Sequence, residues 1–180
     1  MMSDDLQAIQ RVLAGDVESF GDLVRRYQKP VFGLVRNLIP DAGDAEDIAQ
    51  DVFLAAYTHL GAFDPRRAAF ATWLFTIARN RCLAALKKRR PRPVRDVPEA
   101  VDRRTPDADA AAGELWRRLD AALAELPLEQ KTAFVLAEIQ GLSHEEVARI
   151  EGVRIGTVKS RLSRAREKLR SLLRRTVELP

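Results

Sequence analysis

Apolar residues recur along most of this chain at steps of three and four, the spacing that lines one face of an α-helix. The first such stretch covers 5–14 and stops at Gly15. Asp16 is then placed to cap a helix carrying Phe20, Leu23, Val24 and Tyr27. Pro30, a residue favoured in a first helical turn, is expected to open another with Val31, Phe32, Leu34, Val35 and Leu38, ahead of Pro40. Further helices are expected over 41–60, from Phe70 to Arg90, from Leu115 to Leu126, and from Leu128 to a stop at Gly141. No stretch alternates apolar and polar residues as a strand would, and there is no internal repeat or glycine-rich phosphate loop. The pattern predicts an all-α protein.

The periodicity lapses over 91–113, where Pro91, Pro93, Pro98 and Pro106 stand among acids and an alanine run. Such a segment cannot bury enough apolar surface to fold alone. It reads as a flexible linker between two small helical domains, 1–90 and 114–180. In the second, Trp116, Leu119, Ala122 and Leu123 are the expected core of the first helix.

The most informative stretch is Leu142 to Arg175. Ser143 and Glu146 have the spacing of a capping box, with Leu142 and Val147 placed as a hydrophobic staple. The short helix should end near Glu151, with Gly152 as its stop. A second helix follows from about Ile155 to Thr157 onward, with Val158, Leu162, Ala165, Leu169 and Leu172 on one face. Its other face carries Lys159, Arg161, Arg164, Arg166, Lys168 and Arg170. A capped helix, a glycine turn and a basic second helix make a helix-turn-helix signature, 144–163. From Arg154 to Arg175 nine Lys/Arg face one acid, Glu167, a net charge of +8. A solvated helix surface usually mixes signs to gain i,i+4 pairs; this one-sided run favours a polyanion.

Two other stretches carry chemistry. Over 41–51 there are five acids, Asp41, Asp44, Glu46, Asp47 and Asp51, and no base. Asp44 is placed as an N-cap, and acids in a first turn suit the helix dipole. Asp47, Asp51, Leu54 and Thr58 share a face, while Ile48, Val52, Phe53 and Ala55 serve the core. That face is either ordinary dipole-complementing surface or a docking site for a basic partner. In the helix from Phe70 to Arg90, Trp73, Ile77, Ala78, Cys82 and Leu86 line the inward face. Arg79, Asn80, Arg81 and the basic end Lys87–Arg90 flank it. Aromatic beside basic residues can hold unstacked bases, and a core Trp on a helix with a basic end explains the same residues.

Composition narrows the class. A formal charge of +4 over 180 residues is modest, so the positive charge matters for where it is concentrated. The 6% of aromatic residues suits small helical cores. One cysteine, Cys82, excludes an internal disulfide and fits a reducing compartment. The two histidines, His59 and His144, stand in no ligand cluster, so no metal site or cofactor is expected. No apolar run reaches spanning length and the acidic start lacks a leader pattern. A cytoplasmic protein without membrane insertion is expected. No nucleophile–base set supports an enzyme.

These elements, in this order, resemble a known family. LSHEEVARIEGVRIGTVKSRLSRAREKLR, with LAELPLEQKTAFVLAEIQGLS before it, is similar to the promoter-binding C-terminal domain of bacterial RNA polymerase sigma factors. The likeness is to the extracytoplasmic function (ECF) group of the sigma-70 family. DAEDIAQDVFLAAYTHL looks like that family's core-polymerase-binding helix, and FATWLFTIARNRCLAALKKRR like the segment that melts and reads the −10 element. The resemblance covers about 6–175, and four stretches in register make it specific. It implies a region 2 domain over 1–90, a linker over 91–113 and a region 4 domain over 114–180. Asp47, Gln50, Asp51, Leu54 and Tyr57 would dock on the clamp helices of the largest polymerase subunit, with further contact to the flap. Phe63, Trp73, Arg79, Asn80, Lys87 and Lys88 would meet the −10 element, a flipped base entering between the 61–69 loop and the long helix. Arg154, Thr157, Lys159, Ser160, Arg161, Arg164 and Lys168 would meet the −35 element. Core RNA polymerase, promoter DNA and an anti-sigma factor that holds the protein inactive until a stress signal are the implied partners. That factor would hold it near the membrane.

Two residues depart from the family pattern. Glu151 stands where an apolar residue usually precedes the turn glycine, and Arg154 where a small or apolar residue is common. The rival reading is a helix-turn-helix regulator that is not a polymerase subunit. Its receiver domain would carry strands, and 1–90 shows no strand pattern.

Overall fold

The structure is a computed structural model that describes residues 4–88 and 110–177, with 110–115 and 175–177 as backbone only. Among these every regular element is helical. They are α1 (Asp4–Leu13), α2 (Phe20–Leu38), α3 (Ala42–Thr58), α4 (Phe70–Lys88), α5 (Ala110–Ala124), α6 (Leu128–Phe134), α7 (His144–Glu151) and α8 (Ile155–Val177). Most of the expected linker lies in 89–109, outside the described residues, as do Arg89 and Arg90; α5 begins at Ala110, ahead of the expected Leu115.

Helices α2, α3 and α4 pack on one another and α1 lies along α2. Leu23, Val31, Leu34, Val35, Val52, Ala56, Leu74 and Ala78 form their shared core. The Tyr27 hydroxyl donates to Asp5 at 2.7 Å, and Arg26 pairs with the same carboxylate, tying α1 down. Cys82 is fully buried, and burial pushes its thiol up to about 12. This is a packed thiol, not a reactive one.

Two expected helix starts are corrected. Pro30 does not open a helix; it lies inside α2, which runs unbroken from Phe20 to Leu38. An interior proline costs about 3 kcal/mol through its missing donor and ring clash. Leu23 on one side of it and Val31, Leu34, Val35 and Leu38 on the other are all buried, each stabilising by about 1.5–3 kcal/mol, which outweighs that cost. In α3 the cap is Asp41, not Asp44: the Asp41 carboxylate accepts from the Asp44 amide at 2.9 Å. Asp44 therefore sits in the first turn, where its charge still meets the positive end of the helix dipole.

Helix α4 is buried over a wider arc than the expected stripe. Phe70, Thr72, Leu74, Phe75, Ala78 and Cys82 are buried, and Trp73, Ile77 and Leu86 only partly. The cause is a second neighbour. Helices α2 and α3 cover one side of α4, and α7 of the C-terminal domain covers the other. The core continues across this contact to Val147, Ala148, Ile150, Val158 and Leu162. Thr72, nearly inaccessible, donates to Glu146 at 3.3 Å. The two domains therefore pack as one closed body, with α6 also against α2.

Within the C-terminal domain α6, α7 and α5 all pack on α8. A smaller core of Ala122, Leu123, Leu126, Ala165 and Leu169 joins α5 to α8. Trp116, expected in that core, is 46% exposed, because the cluster forms around the last turns of α5. Between α6 and Gly141 the chain makes a π-turn, Val135–Ile139, with the Gln140 amide donating back to Val135.

Candidate functional site

The helix-turn-helix is built by local rules. The Ser143 hydroxyl accepts from the Glu146 amide, and the Glu146 carboxylate accepts from the Ser143 amide at 2.9 Å, a complete capping box. Burial works to raise the Glu146 carboxyl, but bonds from Ser143 and Thr72 outweigh it and hold the group below its ordinary value. Gly152 ends α7 at φ 67°, ψ 34°, a left-handed conformation that a side chain would strain. Helix α8 leaves from there with Val158, Leu162, Ala165 and Leu169 buried as expected.

The basic face of α8 is less free than its sequence suggests. Arg154, Lys159, Ser160 and Arg164 are exposed near its start, with Thr157 half-buried beside them. The Ser160 hydroxyl donates to the Thr157 carbonyl at 2.9 Å. Arg166 pairs with Glu138, and Lys168 donates to the Glu125 carbonyl. Arg161 stands apart from the exposed set. Its side chain is 15% exposed and donates to Glu151 and to Glu129, each at 2.7 Å. Arg161 and Arg164, both expected to meet the −35 element, therefore differ in exposure. A signal was present in the sequence: Arg161 follows Val158 by three and precedes Ala165 by four, which puts it at the border of the buried stripe. The acids that take these charges, Glu129, Glu138 and Glu151, lie on other elements.

On α3 the structure brings the expected set together on one face. Asp47, Gln50, Asp51, Leu54 and Tyr57 are all exposed, Leu54 at 64%. Among the described residues neither Asp47 nor Asp51 has an ion-pair partner. Tyr57 is steadied by an edge-on contact with Phe20, ring centroids 5.1 Å apart. A bulky exposed leucine one turn beyond two acids that have no ion pair among the described residues is a surface with apolar area and charge to offer a partner.

The third expected set divides. Phe63 reaches from the 61–69 loop onto α4, its ring centroid 5.7 Å from Phe70 and 5.5 Å from Trp73. Tyr27 meets Phe70 at 5.5 Å. The loop is braced by Arg66, whose side chain donates to both oxygens of Asp64, holding that carboxyl below its ordinary value. Phe63 and Trp73 are therefore half-buried members of one aromatic cluster, with an edge open to solvent. Asn80, Lys87 and Lys88 are exposed; Arg79 is half-buried and its charge bears on Glu151 across the domain contact. Among the described residues no helix is long and apolar enough to cross a membrane.

Comparison with known proteins bears on all three faces. Residues 23–92 match the model of Sigma-70 region 2, and residues 116–169 that of Sigma-70, region 4. The chain is 35% identical to the RNA polymerase sigma-H factor of Pseudomonas aeruginosa, covering 91% of this chain and 90% of that one. It is 33% identical to the ECF RNA polymerase sigma factor SigW of Bacillus subtilis, over 92% and 95%. It is 35% identical to the ECF RNA polymerase sigma-E factor of Escherichia coli K12, over 95% and 97%. Among solved structures it resembles CnrH in complex with the cytosolic domain of CnrY, with TM-score 0.71 and 29% identity over 92% of this chain and 94% of that one. It also resembles the sigma factor RpoE of Bartonella quintana in complex with the anti-sigma factor NepR, with TM-score 0.74 and 28% identity over 87% and 98%.

Proposed function

The chain belongs to the ECF group of RNA polymerase sigma factors, and from that premise we propose how its surfaces divide the work of promoter recognition. It is an alternative sigma factor, a subunit that directs core RNA polymerase to specific promoters. It acts by binding, and no residue is given a catalytic role. The N-terminal domain, 1–90, docks on polymerase through Asp47, Gln50, Asp51, Leu54 and Tyr57, against the clamp helices of the largest subunit. Its aromatic cluster at Phe63 and Trp73, with Arg79, Asn80, Lys87 and Lys88, serves the −10 element. The C-terminal domain, 114–180, lays the start of α8 in the major groove of the −35 element and meets the flap. There Arg164 reads a base edge, Lys159 and Lys168 meet phosphate, and Arg154, Thr157 and Ser160 fix the register. The observation that carries this division is the exposure of Asp47 and Asp51 on α3 and of Lys159, Ser160 and Arg164 on α8, inside two matched family regions.

The closed packing supports control by an anti-sigma factor. The relatives CnrH and RpoE were seen bound to CnrY and NepR, and their likeness to this chain spans both domains. The −10 and −35 elements lie about 25 base pairs apart, roughly 85 Å along the duplex. A compact body of this length is only about 40 Å across. The two domains must therefore part before both elements are engaged. An anti-sigma factor that favours the α4–α7 contact would hold the protein silent in the cytoplasm. Run-off transcription on genomic fragments, with core polymerase alone and with the protein added, tests the reading. Discrete new transcripts are expected; their absence overturns it, and failure to co-purify with core polymerase would favour the regulator instead.

A further inference from the structure

The acid that departs from the family pattern, Glu151, is also the most deeply placed charge among the described residues of the C-terminal domain. It is the last residue of α7, its side chain is 1% exposed, and it lies just before the Gly152 turn. Arg161, two turns into α8, reaches back over that turn to it at 2.7 Å. The same guanidinium takes Glu129 of α6 at 2.7 Å, so one side chain ties together three helices. Arg79 of α4 also bears on Glu151 from the N-terminal domain. An arginine that reads guanine must turn both donor pairs toward the base edge. Here each Nη already donates to a carboxylate, and the side chain, 15% exposed, is held against α7 and α6 rather than turned out toward a groove. Leaving Glu151 would strand a buried charge, which is far costlier than losing an exposed pair.

We propose that Arg161 and Glu151 are positioning residues: they form a buckle that sets the angle of α8 on α7, and so places Lys159, Ser160 and Arg164 against the −35 element, while Arg161 itself reads no base. This rests on the −35 reading of α8 given above. The acid at 151 is then no defect in the turn. It anchors the one arginine of the helix start whose charge is spent inside the domain. Burial pushes its carboxyl above the ordinary value against the pull of Arg161, as expected for a charge kept only by its partner.

The test is promoter-complex formation by holoenzyme on a panel of −35 substitutions, with Arg161→Leu, Glu151→Leu and the double Leu variant. Affinity for core polymerase and the thermal melt are measured alongside. Arg161→Leu strands the buried Glu151 charge and Glu151→Leu leaves Arg161 held by Glu129 alone, whereas the double removes both members of the buried pair and refills the volume with apolar side chains. Each single variant is expected to weaken binding about tenfold at every panel member alike, with base preferences unchanged. The double is expected to regain most of that loss, and core affinity should hold throughout. A lost preference at one base pair that persists in the double variant would show that Arg161 reads a base, overturning the proposal. So would single variants that bind the panel as the parent does, or single variants whose loss tracks the melt and vanishes at low temperature. A parent holoenzyme indifferent to the whole panel would instead overturn the −35 reading of α8, a result distinguishable from the others without any variant. Should Glu151→Leu alone fail to fold, Arg161→Leu and the double still decide the matter.

Discussion

Helices α3 and α8 each carry a one-signed charged face, and the fold treats them in opposite ways. The acids Asp47 and Asp51 of α3 are left exposed and without ion pairs among the described residues. Of the bases of α8, Arg161 is taken by Glu129 and Glu151 and Arg166 by Glu138, while Lys168 donates only to the neutral Glu125 carbonyl just past α5 and keeps its charge. What remains open at the start of α8 is a short patch of Arg154, Lys159, Ser160 and Arg164. A charge run therefore marks a partner surface only after the charges consumed within the chain are subtracted. At Asp47 and Asp51 nothing is subtracted among the described residues; on α8 the subtraction leaves the part that fits a groove.

The largest break in this contrast should come from reversing an unpaired acid. Asp51→Arg is expected to weaken assembly with core polymerase by about 2–5 kcal/mol, with repulsion added, while a circular dichroism melt stays as in the parent. Unchanged assembly would return the α3 face to plain solvated surface. Next comes the open base of α8. Arg164→Ala should cost about 1–3 kcal/mol on the cognate −35 element and relax preference at one base pair, read by holoenzyme binding to a substituted panel. Uniform loss across the panel would demote Arg164 to a phosphate contact.

A smaller effect is expected at Lys168, farther along the helix. Lys168→Ala should weaken all sequences alike and lower the slope of log affinity against log salt by roughly one. A sequence-dependent change would contradict it. The smallest effect sharpens the comparison by undoing a subtraction. Glu138→Gln frees Arg166 from a half-exposed pair, with side chains 50% and 36% exposed, so the melt should shift by no more than about 1 kcal/mol. Duplex binding by holoenzyme should then rise slightly and grow steeper with salt. Binding that falls would mean the pair holds α8 in place, as the buckle at Arg161 is proposed to do.

Local sequence determined a good deal of this protein by itself. The Ser143–Glu146 box, the glycine turn at 152 and the stripe from Val158 to Leu169 are contained within neighbouring turns, and short-range geometry fixes them. The face of α3 was legible for the same reason, since its periodicity needs no distant partner. Helix α4 was only half legible. Its apolar residues wrap too far round for one stripe, and nothing nearby in the chain announces that α7 will cover the second side. Pro30 inside α2 was hidden because the apolar residues that outweigh its cost pack against other helices. The core of α5 forms beyond Trp116, around Ala122 and Leu123, because that is where α8 covers it. The division between Arg161 and Arg164, hinted at by the border position of Arg161 on the stripe, was settled by tertiary structure. Both are arginines of one helix one turn apart, and only the placement of Glu129 and Glu151, 32 and 10 residues away, buries one guanidinium and leaves the other to solvent.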